Sequence, residues 1–386
     1  MNKRINVYLM YIICFLQGFV FYGPVATIYR QSRGLSMYQI FLLESIFMVL
    51  MIAFEVPWGW FADRFGYKLT LVISNLLFLF SKIVFYEANT FFLFLLEAVI
   101  IALAISGLSG CDTALLYYSS EDGEAEKIFG RYSAFGTMGF LAASIISTSI
   151  ISRSIDLAAF LTIFPYLIAA FLTIFIKDVK VHLEDKPSFI STFKNVFKNK
   201  QILLFVFAIA LMNEVNHAIS VFLNQVQYMR SGINIKYFGL LVALVQIIRL
   251  GSAKSYRLTE KYGRNGSIKA LFIILTVCSF LLIYVNSPIW SIVLISCISG
   301  GFALVQPIAL DIQNSSVLTN DRATVLSLYA MFGDIVASLV NLIIGKTANI
   351  SLQHAFASCG TISLISCGLV FIYFKYSIEN AKVNTI

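Results

Sequence analysis

The fold of this chain is decided by a short charged connection between two apolar runs, which reads Gly59-Trp60-Phe61-Ala62-Asp63-Arg64-Phe65-Gly66-Tyr67-Lys68. Gly59 and Gly66 permit a tight turn, and Asp63 can cap the free N–H groups at the start of the helix that follows. Arg64 and Lys68 can bind carboxylates or lipid phosphates. The connection therefore predicts two antiparallel helices that cross a membrane and are joined by a charged turn.

The composition of the whole chain also indicates a membrane protein. Of its 386 residues, 59% are apolar and only 12% are charged, whereas a soluble domain carries about 25% charged residues. A water-soluble chain with so few charges could not cover its surface. The composition therefore excludes an ordinary cytosolic enzyme, a disordered protein and a secreted disulfide scaffold, and it predicts an all-α polytopic membrane protein.

Apolar runs of membrane-spanning length recur along the whole chain. A helix needs roughly 20 apolar residues to cross the hydrocarbon core, which allows twelve spans and leaves no room for an additional soluble domain. We predict spans at residues 7–29, 37–59, 69–86, 91–116, 132–151, 158–176, 202–224, 237–256, 268–285, 289–310, 324–344 and 352–374.

The basic residues indicate how these spans are oriented. The connections on the side of the N-terminus contain 21 Lys and Arg residues, and those on the opposite side contain six. Cytoplasmic loops carry the excess of basic residues, so both termini are predicted to lie in the cytoplasm, with the protein in the cell's inner membrane. The net charge of +8 therefore marks orientation and does not predict nucleic-acid binding.

The two halves of the chain resemble each other. Glu260-Lys261-Tyr262-Gly263 matches Asp63-Arg64-Phe65-Gly66 at an offset of 197 residues, and Gly232 matches Gly34 at an offset of 198. We therefore predict an N-terminal six-helix bundle at 1–176, a cytoplasmic linker at 177–200 and a C-terminal six-helix bundle at 201–386. Two such halves are typical of a transporter in which one bundle rocks against the other.

The linker contains a further pattern. Within residues 188–200, apolar side chains recur at helical spacing and lysines occupy the other face. This pattern is typical of an amphipathic helix lying on the inner leaflet, and a partly ordered linker is an equally good interpretation.

The turn, the repeat and the span number together resemble the major facilitator superfamily. The loop signature of that family, G-x-x-x-D-R/K-x-G-R/K-R/K, is met by Gly59, Asp63, Arg64, Gly66 and Lys68, with a tyrosine at the first of the last two basic positions. The adjoining sequences are similar to a prokaryotic branch that contains many presumed exporters. Two marks of drug/proton antiporters are missing, namely an arginine in span 4 and a Gly-Pro pair in span 5. The resemblance implies two six-helix pseudo-repeat bundles and secondary active transport by alternating access.

The charged turn is expected to act as a gating loop that latches the cytoplasmic ends of the helices. Its expected partners are Asp112, at the inner end of span 4, and Arg131, at the start of span 5. The alternative is that the turn serves only as a positively charged anchor on the cytoplasmic side.

Two acidic residues are predicted to lie near the middle of the membrane. Glu214 is about 12 residues into span 7 and Asp334 about 10 residues into span 11, at a rise of about 1.5 Å per residue. Asn213 and His217 accompany Glu214, and His217 can share its helix face. In the family, span 7 lines the central cavity, so the resemblance implies that Glu214 faces substrate. Both carboxylates are candidates for proton coupling; the alternative is a structural hydrogen bond between helices.

The first half contains a second group of charges at a common depth. Glu44, Lys82 and Glu97 lie in the outer third of spans 2, 3 and 4, which predicts an ion cluster with Glu44 and Lys82 as a structural ion pair. Glu97 lies on a span that lines the cavity in the family and could bind a cation or a proton instead. Gln17 in span 1 is a further candidate for the cavity wall.

These features predict a proton-coupled exporter of small amphipathic or cationic compounds, similar to a multidrug transporter. The alternatives are a proton-coupled importer of a small nutrient or metabolite and, in another class, a non-transporting membrane sensor or immunity protein. The expected partners are a small-molecule substrate, protons and the lipid bilayer, and the fold can work as a monomer.

Enzymatic activity is not expected. No catalytic constellation lies near a membrane interface. The six cysteines lie in apolar runs without CxxC spacing, and the three histidines are scattered. We therefore predict neither a metal site nor a cofactor.

Overall fold

The computed structural model describes residues 3–121, 123–179, 200–317 and 322–383, and in these ranges the chain is helical. Ten helical runs in the described residues are long and apolar enough to cross a membrane. One of them, Ile235–Leu281, contains the predicted eighth and most of the ninth span, and the first span contributes the shorter helix Arg4–Gln17. The predicted fold of twelve spanning helices is thereby confirmed.

Unit 1 of the chain comprises Met1–Glu184 together with Asn234–Ala243. Its helices before residue 180 are α1 (Lys3–Gln17), α2 (Ala26–Ser32), α3 (Met37–Phe65), α4 (Tyr67–Glu87), α5 (Phe91–Leu108), α6 (Cys111–Ser119), α7 (Ala125–Ile151) and α8 (Ile155–Thr173).

Unit 2 comprises Asp185–Ile233 and Leu244–Ile386. The helices from residue 200 onward are α9 (Lys200–His217), α10 (Asn224–Arg230), α11 (Phe238–Arg249), α12 (Ser255–Leu281), α13 (Pro288–Ser315), α14 (Arg322–Ile350) and α15 (Leu352–Val383). A π-helical segment, Ala218–Leu223, joins α9 to α10.

The start of the eighth span, within Asn234–Ala243, belongs to unit 1. The predicted boundaries place the whole of this span in the C-terminal bundle. The difference arises from a close packing contact, because Gly239 lies directly against Ser144 and Ser147 of α7. The predicted amphipathic helix at 188–200 lies outside the described residues, except for Lys200.

The charged turn is shorter than the sequence suggested. Helix α3 continues through Gly59 and Asp63 to Phe65, and Gly66 alone separates α3 from α4. Gly66 has a φ of +88°, a conformation that side-chain-bearing residues rarely adopt. The turn therefore depends on Gly66, whereas Gly59 is an ordinary helical residue with open space around its Cα.

The predicted repeat is visible in the backbone. Gly66 and Gly263 have φ values of +88° and +71°, and Gly34 and Gly232 have φ values of +89° and +78°. Each pair is separated by the offset found in the sequence. The matching glycines thus make turns of the same left-handed type in both halves of the chain.

Span 1 is interrupted where it crosses α7. Helix α1 ends at Gln17, and after a non-helical stretch the chain continues through a short 3₁₀ turn, Gly23–Val25, into α2. A Cβ on Gly18 would lie 2.6 Å from the backbone nitrogen of Phe140, and a Cβ on Gly139 would collide with the carbonyl oxygen of Phe15. The two backbones can approach this closely only because both positions are glycine.

Replacing Gly139 with alanine should destabilise the protein. The added methyl group has no space at the crossing, and overpacking of this kind costs about 1–3 kcal/mol. We expect the midpoint of thermal unfolding in detergent to fall by several degrees. Gly130→Ala is the matched control, because Gly130 lies on the same helix with no atom near the position of a Cβ. Equal midpoints for the two variants would show that the crossing can relax.

Candidate functional site

A cavity of unit 2 lies between α9, α13 and α14. It has a volume of about 420 Å³, within the range of small-molecule sites. Most of the lining side chains are apolar, and the polar ones carry amide, hydroxyl or carboxylate groups. The lining residues are Val206, Ile209, Ala210, Asn213, Phe302, Gln306, Ala309, Leu310, Gln313, Leu326, Tyr329, Ala330, Gly333 and Asp334.

Helical spacing brings the polar groups of this cavity together. Asn213 lies on α9, Gln306 and Gln313 lie two turns apart on α13, and Tyr329 and Asp334 lie on α14. Residues seven positions apart share a helix face, so Gln306 and Gln313 lie on the same face of α13. The structure thus places two of the predicted site residues, Asn213 and Asp334, in one wall.

Sequence reasoning missed three of the polar lining residues as a group: Gln306, Gln313 and Tyr329. Their signal is the seven-residue spacing of the two glutamines in an otherwise apolar span. That spacing identifies a polar face on α13, but it does not show which neighbouring helices complete the cavity.

Glu214 is not among the residues that line this cavity, and the expectation that it faces substrate stays a prediction. Its position follows from helix geometry, since Glu214 follows Asn213 at a rotation of about 100°. Its side chain is 1% exposed, and its Oε1 lies 3.3 Å from Nδ1 of His217, whose side chain is 31% exposed. Glu214 and His217 therefore form a buried acid–imidazole pair behind the cavity wall, with His217 as its more accessible member.

The charged residues in the outer half of unit 1 have partners that the sequence did not indicate. Glu97 is paired with Arg30, with 3.5 Å between Oε2 and Nη2. Lys82 is 3% exposed and donates a hydrogen bond to the Tyr22 hydroxyl at 3.1 Å. The interrupted span 1 places Tyr22 beside α4, which brings Lys82 and the Tyr22 hydroxyl together; the expected pair of Glu44 with Lys82 stays a prediction. Glu44 lines a small cavity with Arg30 and Glu97.

Gln17 lies at the end of α1 and forms hydrogen bonds with two other helices. Its Nε2 donates to Oδ1 of Asn75 at 2.8 Å, and its backbone carbonyl accepts a hydrogen bond from the Tyr166 hydroxyl at 2.7 Å. Gln17 thus ties the broken span 1 to α4 and α8 within unit 1.

The gating-loop residues are only partly brought together. The Arg64 guanidinium lies 5.4 Å from the ring centre of Trp60 on its own helix. Asp112 accepts hydrogen bonds from the Tyr132 hydroxyl, at 3.1 Å, and from the backbone N–H of Thr113, at 2.6 Å. Arg131 instead lines a separate cavity with Arg4, Glu121 and Glu124, among others. Asp112 is thus held by a tyrosine and by its own helix, and not by the basic residues expected.

No group of three or more His, Cys, Asp or Glu residues suited to holding a metal ion occurs in the part of the chain that the structure describes.

The family of the chain is given by a comparison with protein-family models. A sequence model described as Major Facilitator Superfamily matches residues 7–341. A choline/ethanolamine transporter, FLVCR2 of Rattus norvegicus, is 23% identical over 291 residues, which are 66% of this chain and 53% of that protein. The quinolone resistance protein NorA of Staphylococcus aureus is 28% identical over 141 residues, which are 36% of each chain. The chain thus matches about half of one relative's length and about a third of the other's.

Solved structures show the same fold. A point mutant of the nucleoside transporter NupG aligns with a TM-score of 0.82 and 16% identity, covering 96% of this chain and 100% of that one. A D-xylose–proton symporter aligns with a TM-score of 0.74 and 14% identity, covering 96% and 97%.

Replacing Tyr22 with phenylalanine should destabilise unit 1. The ring of Tyr22 stacks on Phe85 with 3.9 Å between centroids, and phenylalanine keeps that contact while removing the hydroxyl that Lys82 uses. Leaving a buried charged donor without its partner costs about 1–3 kcal/mol, so the unfolding midpoint in detergent should fall by several degrees. Tyr8→Phe is the control, because Tyr8 is 63% exposed. An equal effect of the two substitutions would contradict the role given to the hydroxyl.

Proposed function

Because the chain belongs to the Major Facilitator Superfamily, we propose that it exports small amphipathic or cationic compounds in exchange for protons. The solved structures that it resembles are those of membrane transporters. It works as a monomer in the cell's inner membrane by alternating access, with both termini in the cytoplasm. Residues 1–176 and 201–386 form the two bundles that move, and 177–200 links them.

The observation that carries this proposal is the cavity of unit 2. Its wall combines apolar side chains, such as Phe302 and Leu326, with the carboxylate of Asp334 and the amides of Asn213 and Gln306. An amphipathic cation fits such a wall, because its apolar part gains contact area while its charge is attracted to the carboxylate. The amides and the Tyr329 hydroxyl orient its polar groups.

Asp334 and Glu214 have different roles in this mechanism. Asp334 lines the cavity, so a proton and a cationic substrate compete there for one carboxylate. Glu214 is buried beside His217, so it binds a proton without touching substrate. Protonation favours one state of the transporter and substrate favours the other, and each ligand shifts the equilibrium only by its differential affinity for the two states.

The gating loop has a supporting role. The left-handed turn at Gly66 holds Arg64 and Lys68 close to the ends of α3 and α4. Because Asp112 is occupied by Tyr132 in this state, the two basic residues are available to lipid phosphates. We propose that they latch the helix ends in the opposite state.

The relatives support the two directions of transport unequally. NorA is named a quinolone resistance protein, which favours export of amphipathic compounds. The nucleoside transporter and the xylose–proton symporter keep the alternative of a proton-coupled nutrient importer open. A non-transporting sensor or immunity protein is less well supported, since such a protein has no need of a solute cavity with a carboxylate in its wall.

Transport of the amphipathic cation ethidium into inverted membrane vesicles tests this proposal. With an imposed pH gradient, Glu214→Gln should abolish pH-driven transport and leave ethidium binding unchanged, because Glu214 does not line the cavity. Asp334→Asn should also weaken ethidium binding, by about tenfold, the loss of a charged partner being worth about 1.5–3 kcal/mol.

The control is Asp311→Asn, whose carboxylate is 51% exposed in an ion pair with Arg264. Undiminished pH-driven transport by Glu214→Gln would rule out its coupling role. Net accumulation of nutrients and no ethidium transport would favour the importer instead.

A further inference from the structure

The outer half of unit 1 contains a second set of residues whose chemistry suits a cation. The guanidinium of Arg30 lies 5.3 Å from the ring centre of Phe85 and 5.9 Å from that of Phe94. Its Nη2 lies 3.5 Å from Oε2 of Glu97. We propose that Phe85, Phe94 and Glu97, with Glu44 beside them, form a binding site for an organic cation, and that Arg30 fills this site in the present state as an internal substitute.

The walls of this site, which we call the aromatic box (Phe85, Phe94 and Glu97), are rigid and buried. Phe85 and Phe94 are fully buried and Glu97 is 2% exposed. The ring of Phe85 stacks with Tyr22, at 3.9 Å between centroids, and with Tyr29, at 4.9 Å. Two aromatic faces and a desolvated carboxylate attract compact organic cations, both guanidinium and alkylammonium groups.

Arg30 is an imperfect occupant of the aromatic box. A charge-assisted hydrogen bond is about 2.7–2.9 Å long, and the contact of Arg30 with Glu97 is longer, at 3.5 Å. The Nε of Arg30 is buried without a hydrogen-bond partner in the structure. By contrast Arg33, one turn further along, reaches Asp156 at 2.8 Å. The contact of Arg30 is therefore the weaker of the two and the easier to displace.

Space for a ligand adjoins the aromatic box. A cavity of about 100 Å³ is lined by Arg30, Glu44 and Glu97 together with apolar residues of α3 and α5. With the volume that the guanidinium would vacate, this space suits a compact head group. Glu44 adds a second carboxylate at the cavity wall, which again favours a positively charged ligand.

Arg30 can leave the aromatic box without unfolding the bundle. It lies on α2, a helix of seven residues that is separated from α1 by the interruption of span 1. Arg30 is two residues from the end of that helix, so its long side chain can reach the membrane surface. A shift of α2 would thus exchange the internal cation for an external one.

Only the role of the aromatic box in transport rests on the proposed function. Cation binding to the aromatic box can be tested separately, so the experiment measures binding. The probe is methylguanidinium, added to purified protein in detergent, and the readout is the midpoint of thermal unfolding. Arg30→Ala should lower the midpoint, and millimolar methylguanidinium should restore it by occupying the vacated box. Arg30→Gln serves as a second variant that keeps more of the side-chain volume.

The matched control is Arg33→Ala, which removes the arginine that directly follows α2 and its ion pair with Asp156 and should not be rescued. Adding Glu97→Gln to Arg30→Ala should abolish the rescue, and adding Phe94→Leu should raise the required concentration by about tenfold. Equal rescue of the Arg30 and Arg33 variants, rescue by sodium ions at the same concentration, or rescue without Glu97 would overturn the proposal.

If the Arg30 variants do not fold, the wild-type protein provides a second test of cation binding. Methylguanidinium should raise the unfolding midpoint of the wild-type protein at concentrations at least tenfold above those that rescue Arg30→Ala. Phe94→Leu should remove this effect, whereas Phe92→Leu should not, since Phe92 is 77% exposed. An unchanged response of Phe94→Leu would refute the aromatic box. Loss of ethidium transport with intact methylguanidinium binding would instead refute only the transport function.

Discussion

A charge inside the hydrocarbon of a membrane must have a partner, and the arrangement of this protein follows from that requirement. Burying an ionised group without compensation costs several kcal/mol, so the buried charges of unit 1 identify contacts between helices. Glu97 with Arg30 joins α5 to α2, and Lys82 with Tyr22 joins α4 to the interruption of span 1. The polar contacts thus hold together elements that their apolar surfaces alone would leave free to slide.

The same requirement distinguishes the two units. In unit 1 the buried charges pair with one another or with aromatic groups, and Arg30 and Glu97 line a cavity of about 100 Å³. In unit 2 a carboxylate lines a cavity large enough for a solute, while a second carboxylate is withdrawn behind the wall beside an imidazole. A group that meets substrate and a group that holds a proton can therefore be separate residues on neighbouring helices.

The sequence predicts the number of spans and the glycine turns well, because both depend on local composition. Gly66 and Gly263 could be matched from their surroundings alone, and both have the positive φ that the match implies. The depths of Asp334 and Glu214 along their spans can also be predicted from the sequence. Depth does not fix the direction in which a side chain points, so it does not show that Asp334 lines the cavity while Glu214 is buried beside His217.

Arg30 shows most clearly where sequence reasoning fails. A continuous span 1 would carry this residue out of the membrane, so the sequence indicates a loop position for it. Helix α1 ends where Gly18 meets α7, and the segment after the interruption brings the guanidinium of Arg30 to Glu97. Both α7 and Glu97 are distant from Arg30 in the sequence, so no window of local sequence contains that information.

The occupied aromatic box has an electrical consequence. If one monovalent cation replaces another beside Glu97, the total charge held inside the hydrocarbon is the same before and after the exchange. Moving a full charge across a membrane at 100 mV involves about 2.3 kcal/mol, but Arg30 moves only by the reach of its side chain near one face. The membrane voltage therefore does little work on this step, and an arginine that fills its own binding site makes the arrival of a cation nearly insensitive to the potential.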